Sequence, residues 1–177
     1  VRPCMPRRML VAMQMEEFMT RRYELRFNRM KGCKEYRERH SLFTDYRPVT
    51  AEAVKSICFE AQLEGISAIE YDVQRYVDSR RVSHYWPIEE FLFDLPHWDG
   101  QDRIRALADC VPCENKEWRD FFYIWFLSMV AHWLQMDREH ANSTSPLLVG
   151  PQGCRKSSFC QSLLPPELRP YYVDGID

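Results

Sequence analysis

With 177 residues, 45% of them hydrophobic and 28% charged, and a formal net charge of −2, the chain has the make-up of a soluble globular protein of one ordinary domain or two small ones. Its longest apolar stretch, Phe121 to Leu134, contains His132 and falls short of the ~20 residues that a membrane span needs, and no signal peptide is visible. The 7 cysteines, odd in number and scattered, do not form the framework of a secreted disulfide protein, so a cytoplasmic, reducing location is expected, with no membrane partner.

Residues 1–15 read as a flexible basic lead-in, because Pro3, Pro6 and Arg7-Arg8 come before any sustained periodicity. The opening on Val1 suggests a frame that is incomplete or unusually initiated. Up to residue 39 there are eleven Lys/Arg against five Glu, so the excess positive charge lies at the front. A small α+β domain is expected over 16–84. Within it Tyr23, Leu25 and Phe27 alternate with Arg22, Glu24, Arg26 and Asn28, the period of a half-buried strand. Lys31-Gly32 supplies a turn and residues 34–37 return. Arg22 and Arg26 would share the outer face of this hairpin, where they could follow a phosphate backbone or simply meet water.

Phe43 to Arg47 predicts a third strand, and Thr50 caps a helix reaching about Leu63, with Val54, Ile57, Cys58 and Ala61 on one face and Gly65 as its stop. A second helix from Glu70 to Ser79 carries a core stripe of Val73, Tyr76 and Val77. Residues 85–145 read as a helical segment. Pro87 opens a short helix, Leu95-Pro96 closes it and Trp98-Asp99-Gly100 follows. Cys110-Val111-Pro112-Cys113 is half a zinc pattern without a second half, hence a pair of free thiols in a loop. The helix from Glu117 to Leu134 is apolar on nearly every side, which demands burial and otherwise predicts self-association.

The last segment, 146–177, holds the motif that carries chemistry. Gly150-Pro151-Gln152-Gly153-Cys154-Arg155-Lys156-Ser157 follows G-x-x-x-x-G-K-[ST] except that Arg155 stands in the second glycine's place. In such a loop backbone N–H groups cradle phosphates, the Lys reaches the β/γ oxygens and the hydroxyl holds Mg²⁺. Pro146 to Val149 is read as the strand entering the loop, and Ser157 to Leu164 as the helix leaving it before Pro165-Pro166. The nucleotide-binding candidates are Gly150, Gln152, Gly153, Cys154, Arg155, Lys156, Ser157 and Ser158, with Ser157 also meeting the metal. An Arg where glycine tolerates φ > 0 costs about 1–2 kcal/mol and impairs binding; alternatively its guanidinium adds a bidentate phosphate contact.

Taken in order, Tyr23 to Asn28, Trp98-Asp99-Gly100-Gln101-Asp102-Arg103-Ile104, Leu147 to Gly150 and the loop to Ser157 resemble the virulence-associated protein E (VapE-like) family, over about residues 15–177. The resemblance implies phosphate-loop ATPases of phages, plasmids and integrated elements, related to superfamily three helicases and found beside primases. It implies ATP and Mg²⁺ as cofactors, DNA and primase or other replication proteins as partners, and a homo-oligomer when intact. The fold expected is an α+β front region followed by the truncated start of an α/β P-loop NTPase core.

An ATPase of this kind also needs an acidic strand end and an arginine finger. Neither is assignable here. Tyr171 to Asp174 is read as the next strand, with Asp174 and Asp177 as weak Mg²⁺ candidates. The chain alone is therefore expected not to be catalytically competent. The alternative reading is a non-enzymatic remnant, or a DNA or primase interaction module with a vestigial loop.

Overall fold

The computed structural model describes residues 6–136, 144–173 and 175. Together these residues make a mixed α+β protein with seven α-helices and one four-stranded sheet, divided into a unit ending at Trp86 and a unit beginning at Pro87. Among them no helix is long and apolar enough to cross a membrane.

In the first unit α1 (Arg7–Arg22) is followed by β1 (Tyr23–Asn28), β2 (Cys33–Glu38), β3 (Arg47–Pro48), α2 (Ala51–Leu63), α3 (Glu70–Val77) and β4 (Ser83–Tyr85). The lead-in expected to be flexible is thus helical from Arg7. Its apolar stripe of Val11, Met15, Phe18 and Met19 is buried against Val54, Ile57, Ala61, Val73 and Val77, partners too distant in sequence for local periodicity to reveal. Arg21 and Arg22 close this helix, where cations favour its dipole.

The sheet order is β3-β2-β1-β4, antiparallel except for the parallel pair β1 and β4. The hairpin register places Arg26 opposite Glu35 and Leu25 opposite Tyr36. Its turn is fastened by Asn28, whose Oδ1 accepts from the N–H groups of Met30 and Lys31 at 3.1 Å each, and Gly32 takes φ 65°. The expected third strand shrinks to Arg47–Pro48, because Pro48 has no N–H to donate and Phe43 is 79% exposed with no core to enter. Thr50 caps α2, its Oγ1 accepting from Ala53 N–H at 3.2 Å. Asp72 reaches back to the Ile69 N–H at 3.1 Å to begin α3.

The described part of the second unit is helical, with α4 (Pro87–Phe93), α5 (Arg103–Ala108), α6 (Trp118–Trp133), α7 (Lys156–Ser162) and a 3₁₀ turn at Arg169–Tyr171. Trp98-Asp99-Gly100 turns the chain towards α5, which Asp102 caps by accepting from the Arg105 N–H at 3.0 Å. Gly100 takes φ 84°, and Asp99 accepts from the Gln101 N–H at 3.1 Å and holds the Arg103 guanidinium with both oxygens, at 2.7 and 2.5 Å. That Arg103 contact keeps the Asp99 carboxyl well below the ordinary carboxylate range. Arg105 ties α5 to α6 by reaching Asp120 at 3.2 Å and lying 3.9 Å over the Tyr123 ring. Phe122, 1% exposed, is the hub of this unit, with its ring 5.2 Å from Trp118, 5.5 Å from Trp125 and 6.1 Å from Phe159 of α7. The opposite side of α6 is open, with Phe121 and Ile124 exposed.

Two expectations for the end of the chain are corrected. The segment 146–149 runs extended but pairs with no strand among the described residues, leaving Leu147 and Val149 85% and 87% exposed; without a neighbouring ladder it is not a strand of an α/β sheet. Tyr171 belongs to the 3₁₀ turn, which contains Pro170, and not to a strand. Asp174 and Asp177 lie outside the described residues.

Candidate nucleotide site

The segment from Gly150 to Ser157 is an exposed turn that winds into α7. Its tightness comes from small residues at two positions. At Gly150 a Cβ would stand 3.2 Å from the Cys154 Sγ, and Gly153 takes φ 83°. Arg155, the residue in the second glycine's place, sits at φ 64°, ψ 27° and is the N-cap of α7. The backbone therefore adopts the left-handed form that glycine supplies freely, with Arg carrying the cost. The Arg155 carbonyl accepts the first helical bond, from Phe159 N–H at 2.9 Å.

Lys156 turns back over this loop. Its Nζ donates to the carbonyls of Gly150 at 2.9 Å and Pro151 at 3.0 Å and lies 3.4 Å from the Cys154 Sγ. All three donors of the ammonium are thereby aimed into the loop. Gln152 is exposed on this turn, and Ser157 and Ser158 are exposed at the start of α7. Among the described residues the N–H groups of Gln152, Gly153 and Arg155 donate to no protein acceptor.

A cavity of about 620 Å³ lies against the loop. Its polar end is formed by residues 150–151 and 154–156, and the remainder by the turn 110–113, Trp118, the extended residues 147–149 and Phe159. Trp118 is fixed there by donating its indole N–H to the Ala108 carbonyl at 3.0 Å. Sequence reasoning named the loop but not this opposing wall, because α6 and the segment 137–143 separate the two in the chain. The exposed Cys110 and Cys113 belong to that wall. No acidic side chain lines the cavity among the described residues.

Arg22 and Arg26, the proposed DNA contacts, are not on one face of a hairpin. Arg22 ends α1 and pairs with Glu60 and Glu64 at 3.1 Å each, and the Glu64 bond raises its pKa. Arg26 lies on β1, bonded through Nε and Nη2 to Glu35 at 2.9 Å and sandwiched between the rings of Tyr46 and Tyr85, each 3.6 Å away. Glu35 is 1% exposed and also accepts from Asn28 at 3.2 Å and Lys31 at 3.0 Å. Burial alone would raise its pKa, but the bonds from Lys31, Asn28 and Arg26 overcome that and hold it below the ordinary value. Both arginines are therefore built into the first unit's own ion pairs.

Residues 92–174 match the family model described as Virulence-associated protein E-like domain. The match takes in the Trp98-Asp99-Gly100 turn, the thiol turn and the Gly150 to Ser157 loop, and it begins beyond the Tyr23 to Asn28 strand. No curated protein and no solved structure matches the chain.

Proposed function

We propose, for a chain whose residues 92–174 match the virulence-associated protein E-like family model, that its second unit is a nucleoside triphosphate site serving replication of a mobile element. The observation that carries this reading is that Arg155 and Lys156, on a turn whose Gln152, Gly153 and Arg155 N–H groups have no protein acceptor among the described residues, line a cavity of about 620 Å³. Positive donors at one end of a largely apolar cavity of this size suit a phosphorylated ligand. In this reading Lys156 meets the β/γ oxygens, Ser157 holds Mg²⁺ and the loop N–H groups bind the remaining oxygens. Mg-ATP supplies the anion and the metal together.

The chemistry supported is binding. Phosphoryl transfer to water requires an acidic side chain beside the metal, and none lines this cavity among the described residues. We assign hydrolysis, and action on DNA with primase or other replication proteins, to the oligomeric assembly of the intact protein. Titration calorimetry of the chain with Mg-ATP tests the site: binding in the micromolar range that Lys156→Ala removes is expected, and binding that survives this change refutes the assignment.

The second reading, an interaction module with a vestigial loop, is favoured by one observation: Arg155 holds a left-handed backbone that its side chain disfavours. Binding that appears only in Arg155→Gly would establish it.

A further inference from the structure

The cavity beside the loop has more wall than phosphates need. Besides the loop residues the cavity is lined by Val111 and Pro112 at the tip of the thiol turn, the anchored Trp118 and the unpaired apolar residues Leu147 and Val149. Leu147 and Val149 are 85% and 87% exposed, a high exposure for aliphatic side chains that line a concave surface. A triphosphate alone has no use for such a surface, whereas a nucleoside base has two apolar faces to bury. Aromatic and aliphatic walls that stack a base also tolerate several bases, since every base has a π-face.

We propose that the turn Cys110–Cys113, with Trp118 and the extended residues 147–149, forms the slot for the base of the bound nucleotide. This inference rests on the reading of the Gly150 to Ser157 loop as the phosphate site and adds the part of the ligand that the loop does not touch. Val111 and Pro112 provide the flat aliphatic side, and Trp118 provides the aromatic one. Cys113, exposed on the turn, lines the same cavity and would be covered by a base seated there.

The test compares Mg-ATP with inorganic tripolyphosphate on the full chain. Tripolyphosphate reads the loop alone, and ATP reads loop and slot. ATP is expected to bind at least about tenfold more tightly, and Val111→Trp, which fills the slot, is expected to remove that advantage while leaving tripolyphosphate affinity unchanged. Retained tripolyphosphate binding also certifies that the variant is folded. Independently, the Cys113 thiolate adds across the double bond of N-ethylmaleimide, and mass spectrometry of the labelled peptide should show slowing by ATP but not by tripolyphosphate.

If tripolyphosphate and ATP bind equally and Cys113 labelling ignores both, the slot is refuted and the phosphate site stands. If neither ligand binds, both readings fall together. If Val111→Trp loses both ligands, the Cys113 footprint on the unaltered chain decides: protection by ATP alone supports the slot, and no protection overturns it.

Discussion

Replacing Arg155 by glycine isolates the backbone cost of the loop. Arg155 holds φ 64° and ψ 27°, and no side-chain cap bond is formed at this N-cap position. Relief of a left-handed conformation returns about 1–2 kcal/mol, while glycine widens the unfolded ensemble at a cost of about 0.4–1 kcal/mol. The net expectation is a gain of about 0.5–1 kcal/mol for the second unit. In urea, at a slope of about 1–2 kcal/mol/M, the midpoint followed through the aromatic signal should rise by about 0.5 M with the slope unchanged. Arg155→Ala is the control, because alanine removes the charge but keeps the Cβ. An equal rise in both variants would show that charge, and not backbone, is what Arg155 costs; a fall with glycine would refute the strain outright.

The second unit should depend most on Phe122: Phe122→Ala empties the centre of its aromatic cluster, and a loss of about 3–5 kcal/mol, with collapse of near-ultraviolet circular dichroism, is expected. Lys156→Ala should change urea stability by less than about 0.5 kcal/mol, since the ammonium sits on exposed carbonyls, yet abolish Mg-ATP binding in calorimetry. Glu35→Ala strands the Arg26 charge and should cost the first unit about 3–5 kcal/mol in urea titration. Because the Glu35 pKa is lowered on folding, its contribution is fully present above the unfolded carboxylate value of about 4.3 and is lost as pH falls through the folded value. In Glu35→Gln this acid-side decline should flatten, which urea midpoints measured between neutral and acidic pH would show.

Local signals were legible wherever the determinant lay within a few residues. Thr50 at the start of α2, the Lys31-Gly32 turn and the Val73 and Val77 stripe all act over one turn of chain, and the structure keeps them. The helix at Arg7 was hidden because its stripe is half of a pair whose other half lies on α2 and α3. Pro146 to Val149 misled for the opposite reason. Its composition suits a buried strand, but a strand exists only where a neighbour completes its hydrogen bonds, and no pattern within the segment reports that. Arg22 and Arg26 were read by charge alone; the carboxylates that absorb them, Glu35, Glu60 and Glu64, lie up to 42 positions away. The loop was legible as a motif, and the wall facing it was not.

Lys156 links the strain of the loop to its chemistry. Its ammonium is already engaged by two carbonyls of the turn, at 2.9 and 3.0 Å, so a phosphate oxygen can recruit it only by displacing those contacts. The exchange favours the phosphate, because the ammonium meets a full negative charge there, whereas a carbonyl has only its dipole to offer. The released carbonyls of Gly150 and Pro151 are exposed and regain water, so the displacement leaves no buried orphan. Arg155 bears on the same balance from the other side. If the loop binds a nucleotide, the left-handed strain at Arg155 is present before and after binding, so it lowers stability without lowering affinity. On this argument Arg155→Gly should raise the urea midpoint and leave the Mg-ATP dissociation constant within about threefold of its starting value. A much larger gain in affinity would mean that the Arg155 side chain itself obstructs the nucleotide.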